Sequence, residues 1–267
     1  MSTNILATIV AQKFIEVAER KKQISIAELE AMPLFTKQTF SLKSNLANPA
    51  KSNIIAEFKR KSPSKGVIND TASVQEVTNA YAHFGASGIS VLTDKDFFGG
   101  SLEDLSIAVK NEVPVLRKEF IIDEFQLIEA KAYGASVILL IASCLSPALT
   151  KLLSVKAKNL GLEVLLELHD ASELNHICDE VDMVGINNRS LKTFEVNIEH
   201  ALQLRSQLPA EKLSIAESGI YDVATYQLLA KEGFDGFLMG EYFMKQANPA
   251  KAFEVFATAI KTNKDAE

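Results

Sequence analysis

The stretch "SVILLIASCLSPALTKLLSVKAKNLGLEVLLEL", residues 136–168, decides the fold. It holds two near-continuous apolar runs of strand length, SVILLI (136–141) and EVLLEL (163–168). Runs without alternation belong to strands covered on both faces, as in parallel sheets. Between them lies a helical pattern with legible ends. Ser146 can cap free N–H groups, Pro147 presets φ for the first turn, and Gly161 suits the left-handed residue that closes a helix. The stretch therefore reads as strand, helix, strand.

The theme repeats in both directions. Upstream are NIIAEF (53–58), GISVLT (88–93) and VPVLRKEF (113–120); downstream are DMVGIN (182–187), LSIAES (213–218) and DGFLMG (235–240). The helical segments VQEVTNAYAHFG, DEFQLIEAKAYG and DVATYQLLAKEG open at Ser73, Asp123 and Asp222 and close at Gly85, Gly134 and Gly233. The links 101–111 and 170–180 are short and carry the weakest helical signal. Eight units predict an α/β protein, a (β/α)8 TIM barrel spanning 49–267. An open doubly wound sheet would usually carry a glycine-rich phosphate turn after its first strand, and "EFKRKSP" is not one. Residues 1–48 differ in kind. Ile5, Leu6, Ile9, Val10, Phe14 and Val17 form a stripe at helical spacing. The segment is expected to be an N-terminal helical extension packing on the barrel mouth.

Composition narrows the partners. A chain of 267 residues with a net charge of −6 offers no basic surface for nucleic acid. The opening MSTNILATIVAQKF has no basic region before an apolar core, so no signal peptide is expected, and no apolar run reaches the roughly 18 residues of a membrane span. Cys144 and Cys178 stand in no metal-ligand or disulfide spacing, which suits reduced thiols in a cytoplasmic protein.

In such a barrel the chemistry sits at the C-terminal ends of the strands. Those ends carry Glu57 and Lys59, Thr93-Asp94, Lys118-Glu119-Phe120, Glu167 and His169, Asn187-Asn188-Arg189, Glu217-Ser218-Gly219, and Gly240-Glu241. Two-residue alternation puts Glu57 and Lys59 on one side of their strand, and Asn187 and Arg189 on one side of theirs. Inward charges are costly unless paired or used. Lys59, Lys118 and Arg189 with Glu57, Glu167 and Glu217 can neutralise one another and supply acids and bases with mutually shifted pKa values. Gly219 and Gly240 allow backbone N–H groups to approach an oxyanion at the strand seven and eight corner. Arg60, Lys61 and Lys65 read as solvated surface charge, and His169 as a helix-entry or hydrogen-bonding residue.

These stretches resemble one family closely, indole-3-glycerol phosphate synthase. The resemblance rests on "IIAEFKRKSPSKG", "VLTDKDFFGGSLEDL", "PVLRKEFIIDEFQ", "LLELHD", "GINNRSLKTFEVN", "AESGI" and "FLMGEYFM", in the family's order along nearly the whole chain. It implies a lyase that closes a pyrrole ring in 1-(2-carboxyphenylamino)-1-deoxyribulose 5-phosphate, with loss of CO2 and then water. It also implies that the reaction uses no cofactor and no metal. By the resemblance, Lys118 is the general acid on the ketone oxygen and Glu167 the proton acceptor. Glu57 and Asn187 hold substrate hydroxyls and catalytic side chains. Lys59 and Arg189 partner the anthranilate carboxylate. Ser62 belongs to the loop after strand one. Glu217 binds substrate, Ser218, Gly219, Gly240 and Glu241 form the phosphate corner, and Phe98, Phe120 and Leu140 wall the aryl ring.

Two positions depart from the family pattern. Glu241 stands where some members have Ser, so only its backbone N–H is expected to face a phosphate, and Ser190 stands where Asp or Asn is common. The partner expected is one small anionic substrate, with no nucleic acid and no membrane, on a monomer or weak homodimer. Two rival readings are another sugar-phosphate barrel, such as an isomerase or a Schiff-base aldolase using Lys118, and an inactive barrel kept as a binding or scaffold partner.

Overall fold

The computed structural model describes residues 5–189 and 195–264. Eight parallel strands close into a barrel. They are β1 (Ile54–Phe58), β2 (Gly88–Leu92), β3 (Val115–Lys118), β4 (Val137–Ile141), β5 (Glu163–Leu168), β6 (Met183–Asn187), β7 (Leu213–Glu217) and β8 (Gly236–Met239). Each lies inside one of the eight apolar runs. Closure is made by β1, which pairs with β8 through Ile54 and Phe237 and with β2 through Ile55 and Gly88. A two-stranded hairpin, Lys61–Ser62 with Gly66–Val67, projects after β1.

The leading segment forms α1 (Ile5–Gln23), α2 (Ile26–Glu30) and α3 (Leu42–Leu46). The barrel helices are α4 (Val74–His83), α5 (Leu102–Ala108), α6 (Glu124–Ala132), α7 (Pro147–Asn159), α8 (Ile198–Arg205), α9 (Val223–Lys231), α10 (Glu241–Met244) and α11 (Pro249–Lys264). Ser73, Asp123, Ser146 and Asp222 each cap a backbone N–H with the side chain. Gly85, Gly134, Gly161 and Gly233 all have positive φ, between 72° and 88°. The weak links behave as their length suggests: 101–111 gives α5 and one 3-10 turn, while 170–180 gives only a 3-10 segment, Ala171–His176.

Two apolar layers hold this together. Ile54, Ala56, Ile89, Val91, Ile138, Leu140, Val164 and Leu166 point outward onto the helices. Ile55, Leu116, Val137, Leu139, Ile141, Leu165, Met183, Ile215 and Leu238 fill the inside. The inner layer also takes Leu42 and Leu46 of α3. Gly88 and Gly236, at the starts of β2 and β8, make room for them: a Cβ there would stand 2.7 Å from Leu42 and 2.8 Å from Leu46. The barrel is thus plugged at the bottom by α3, while α1 lies at the other end. Residues 5–48 reach both ends of the barrel, α1 at the pocket and α3 at the base.

The stripe foreseen on α1 is corrected at one position. Phe14 is 61% exposed, and the buried face runs through Ile9, Lys13 and Val17. Among the described residues no helix is long and apolar enough to cross a membrane.

Candidate active site

One pocket opens at the C-terminal ends of the strands, and it takes in Glu57, Lys59, Ser62, Phe98, Lys118, Phe120, Glu167, Asn187, Arg189, Glu217, Ser218, Gly219, Gly240 and Glu241. Alternation explains the gathering. On β1, Ile55 points in, so Glu57 and Lys59 follow above it. The same parity lifts Lys118 above Leu116, Glu167 above Leu165, Asn187 above Met183 and Glu217 above Ile215. A polar storey therefore rests on an apolar one.

Leu140 does not belong to this wall. Its side chain packs outward, against the helices, and Leu139 and Ile141 line the pocket instead. The run VILLI is buried on both faces, so apolar character alone does not mark which residues face inward.

The floor of the pocket is a charge cluster. The Lys118 ammonium lies 2.7 Å from Glu167 and 3.3 Å from Glu217. Asn187 Nδ2 donates to the other oxygen of Glu167 at 3.0 Å. Lys59 pairs with Glu57 at 2.5 Å. Burial alone would lower the Lys118 pKa, but the surrounding carboxylates, Glu167 first, raise it above the ordinary lysine value. Burial pushes the Glu217 carboxyl up to about 8 against the pull of Lys118, and the neighbouring charges of Glu167 and Glu57 push the same way. For Glu167 burial is again the largest influence and acts upward, yet Lys118 and His169 outweigh it and hold that carboxyl well below its usual range. Two carboxylates of one cluster are thus set apart, one keeping its proton near neutrality and one without it.

Glycines clear the space for this cluster. A Cβ on Gly240 would stand 2.6 Å from Oε1 of Glu57, and a Cβ on Gly185 would collide with Oε1 of Glu217. That Glu217 oxygen is buried and, among the described residues, accepts no hydrogen bond.

At the rim, Arg189 donates to the Tyr221 hydroxyl at 2.8 Å and pairs with Glu241 at 3.1 Å. Lys65 lies 3.8 Å from the same carboxylate. The Glu241 side chain is therefore turned to cations. Beside it, Ser218 and Gly219 both have positive φ, 66° and 74°, and Asn188 donates to the Ser218 carbonyl at 2.7 Å. Such a conformation is sparsely populated outside glycine, and the surrounding bonds hold it. Across the mouth, the Phe98 and Phe120 rings stand 6.0 Å apart.

Arg60 departs from the expectation of solvated charge. It forms a two-pronged ion pair with Asp104 of α5 and lies over the Phe58 ring at 4.9 Å. Lys61 and Lys65 remain at the surface, and Lys61 donates to the Asp96 carbonyl. His169, expected as a helix-entry or hydrogen-bonding residue, lies 3.1 Å from Glu167, off the line of a straight N–H bond. Leu6 and Ile9 of α1 also line the pocket, which no strand-end rule could foresee. Ser190 and the rest of 190–194 lie outside the described residues. Among the described residues no group of three or more His, Cys, Asp or Glu is placed to hold a metal ion.

The family model of indole-3-glycerol phosphate synthase matches residues 6–256. The chain belongs to the indole-3-glycerol phosphate synthase family. An indole-3-glycerol phosphate synthase of Bacteroides thetaiotaomicron is 46% identical over 259 residues, 97% of this chain and 99% of that one. One of Polynucleobacter necessarius is 40% identical, over 96% of this chain and all of its own length. As an indole-3-glycerol phosphate synthase, the chain is a decarboxylating lyase of tryptophan biosynthesis, acting on a small phosphate-bearing substrate. Among solved structures, tryptophan synthase subunit alpha of Legionella pneumophila superposes with a TM-score of 0.61 at 14% identity, covering 85% of this chain and 98% of that one. At that identity the likeness speaks for the barrel fold alone.

Proposed function

We propose that the polar storey divides the ring closure of 1-(2-carboxyphenylamino)-1-deoxyribulose 5-phosphate among its members as follows. Lys118 donates a proton to the ketone oxygen as the aryl carbon attacks, CO2 then leaves with its bonding pair returned to the ring, and Glu167 takes the one carbon-bound proton given up as the hydroxyl, once protonated, departs as water. Glu217 keeps a proton near neutrality and offers it within the same cluster. The pKa directions say which groups hold a proton before substrate binds, and reach says which of them can pass it on. Asn187 fixes the orientation of Glu167, and Glu57 does the same for Lys59.

The substrate is anionic at both ends, so the two sides of the mouth must differ. Lys59 and Arg189 suit the carboxylate. The backbone at Ser218, Gly219 and Gly240 suits the phosphate, with Glu241 held away by Arg189 and Lys65. Phe98 and Phe120 take the aryl ring, with Leu139 and Ile141 below, and Ser62 lies on the loop over the mouth. No step in this scheme calls for a cofactor or metal. All these groups come from one chain, so a monomer or weak homodimer in the cytoplasm suffices.

The observation that carries the reading is one lysine between two glutamates, 2.7 Å and 3.3 Å away, on the pocket floor. It also disfavours the aldolase reading, because an amine held protonated is a poor Schiff-base nucleophile. Incubation with the carboxyphenylamino-deoxyribulose phosphate tests the proposal: indole fluorescence should appear, and it should rise at least about 100-fold more slowly in a Lys118→Met variant. Borohydride trapping of Lys118 with the substrate would overturn it.

A further inference from the structure

Lys13 of α1 is 2% exposed and has no part in the roles above. Its ammonium is shared by Asp94 at 2.9 Å, Glu119 at 3.0 Å and Glu16 at 2.6 Å. Glu16 is near the surface, whereas the side chains of Asp94 and Glu119 are 0% and 4% exposed. Those two carboxylates have other bonds to keep. Asp94 Oδ1 accepts the N–H groups of Phe97 at 2.7 Å and Phe98 at 3.1 Å. Glu119 Oε1 accepts the N–H of Phe120 at 2.8 Å, and its Oε2 accepts the Thr93 hydroxyl at 2.8 Å. Each carboxylate thus holds the backbone of one aromatic wall, and both lean on the same ammonium.

We infer that Lys13 is a positioning residue for the aryl subsite: by seating between Asp94 and Glu119 it sets the gap between Phe98 and Phe120. The inference rests on the reading of those two rings as the aryl walls. Its physical ground is the cost of two buried like charges. The other cation near the pair, Arg117, stands 3.9 Å from Glu119 and is held at 2.8 Å by Glu129, so without the ammonium the carboxylates repel in a low dielectric, and relief comes by moving apart. Because their oxygens also hold the Phe98 and Phe120 backbone, such a movement shifts the rings. A plain staple of α1 onto the barrel would behave differently, weakening all ligands alike or none.

The test is calorimetric titration with two ligands that cannot react. One is the substrate with its ketone reduced to an alcohol. The other is ribitol 5-phosphate, which keeps the phosphate and hydroxyls and lacks the ring. Lys13→Met should weaken the first by at least about tenfold, since small misplacements of a binding group cost that much or more, and leave the second within about twofold. Lys13→Arg should recover most of the loss. Equal weakening of both ligands, or an unchanged aryl ligand, overturns the inference.

If Lys13→Met does not fold, Lys13→Gln asks the same question, since it removes the charge and keeps a neutral donor between the two carboxylates; a selective loss of the aryl ligand is again expected, and an equal loss or none overturns. Phe120→Ala run in parallel separates the two readings. If it spares the aryl ligand, the wall assignment fails. If it weakens that ligand while the Lys13 variants do not, the bridge alone fails.

Discussion

Gly185 lies beneath the carboxylate of Glu217, and a methyl group on Gly185 would strike Oε1. The carboxylate is 2% exposed and bonded to Lys118, so it has little room to yield. Overpacking at a buried site costs about 1–3 kcal/mol or forces a shift. Here the shift would fall on a group of the proposed proton machinery. Gly185→Ala should keep the circular dichroism of the barrel and lose at least about tenfold in kcat/KM. Wild-type turnover would mean that Glu217 can sit elsewhere without harm.

Lys118→Met should fold, since methionine fills the same column above Leu116. It should bind substrate and turn it over at least about 100-fold more slowly, the usual cost of a missing general acid. Glu167→Gln keeps its bond from Asn187 in shape and loses the base, and a similar drop is expected. Single-turnover kinetics separate binding from chemistry; near-normal rates in either variant would remove that residue from the mechanism.

The raised pKa of Glu217 gives a pH signature. The free enzyme holds a proton on this carboxyl until the pH passes about 8, so kcat/KM should fall on the alkaline side through that value. Glu217→Gln, neutral throughout, should be slower and lack that limb. Stability carries the same mark with a definite sign. Between the ordinary value of 4.5 and about 8 the folded chain binds the proton that the unfolded chain has released. Relative to Glu217→Gln, wild type should therefore lose stability as pH rises across that window and change little above it. A flat difference between the two proteins would count against the shift.

What the sequence made legible and what it hid separate along physical lines. All eight strands show because a parallel strand is apolar on both faces and its links carry caps and closing glycines. The inward charges show because a strand has period two, and Glu57, Lys118 and Glu167 interrupt apolar runs. Leu140 misleads for the same reason: in an unbroken run nothing marks parity. Lys13 is invisible because a lysine among Gln12 and Phe14 looks solvated, and only the fold shows Asp94 and Glu119, some eighty residues and more away, meeting it. That buried ammonium also explains why the apolar stripe misplaces Phe14. The spacing roles of Gly185 and Gly240 depend on the neighbours' carboxylates and leave no local trace.

The leading segment should divide into two functions when cut. Removing 1–24 takes away α1, with Leu6 and Ile9 from the pocket lining and Lys13 from the carboxylates. It leaves α3 in place. The barrel should keep its circular dichroism and cooperative melting, while KM rises because the mouth is open and the aryl walls are loosened. Removing 1–48 also withdraws Leu42 and Leu46, 1% and 4% exposed, from the inner layer. Each is worth about 1.5–3 kcal/mol by burial alone, and a void is left at the bottom. Glu163 further loses the N–H groups of Leu42 and Lys43 and the Ser41 hydroxyl. The longer truncation should therefore lower the melting temperature far more than the shorter one and expose apolar surface to dye. Equal melting temperatures for the two chains would show that the plug is dispensable, and an unchanged KM after the shorter cut would take α1 out of the site.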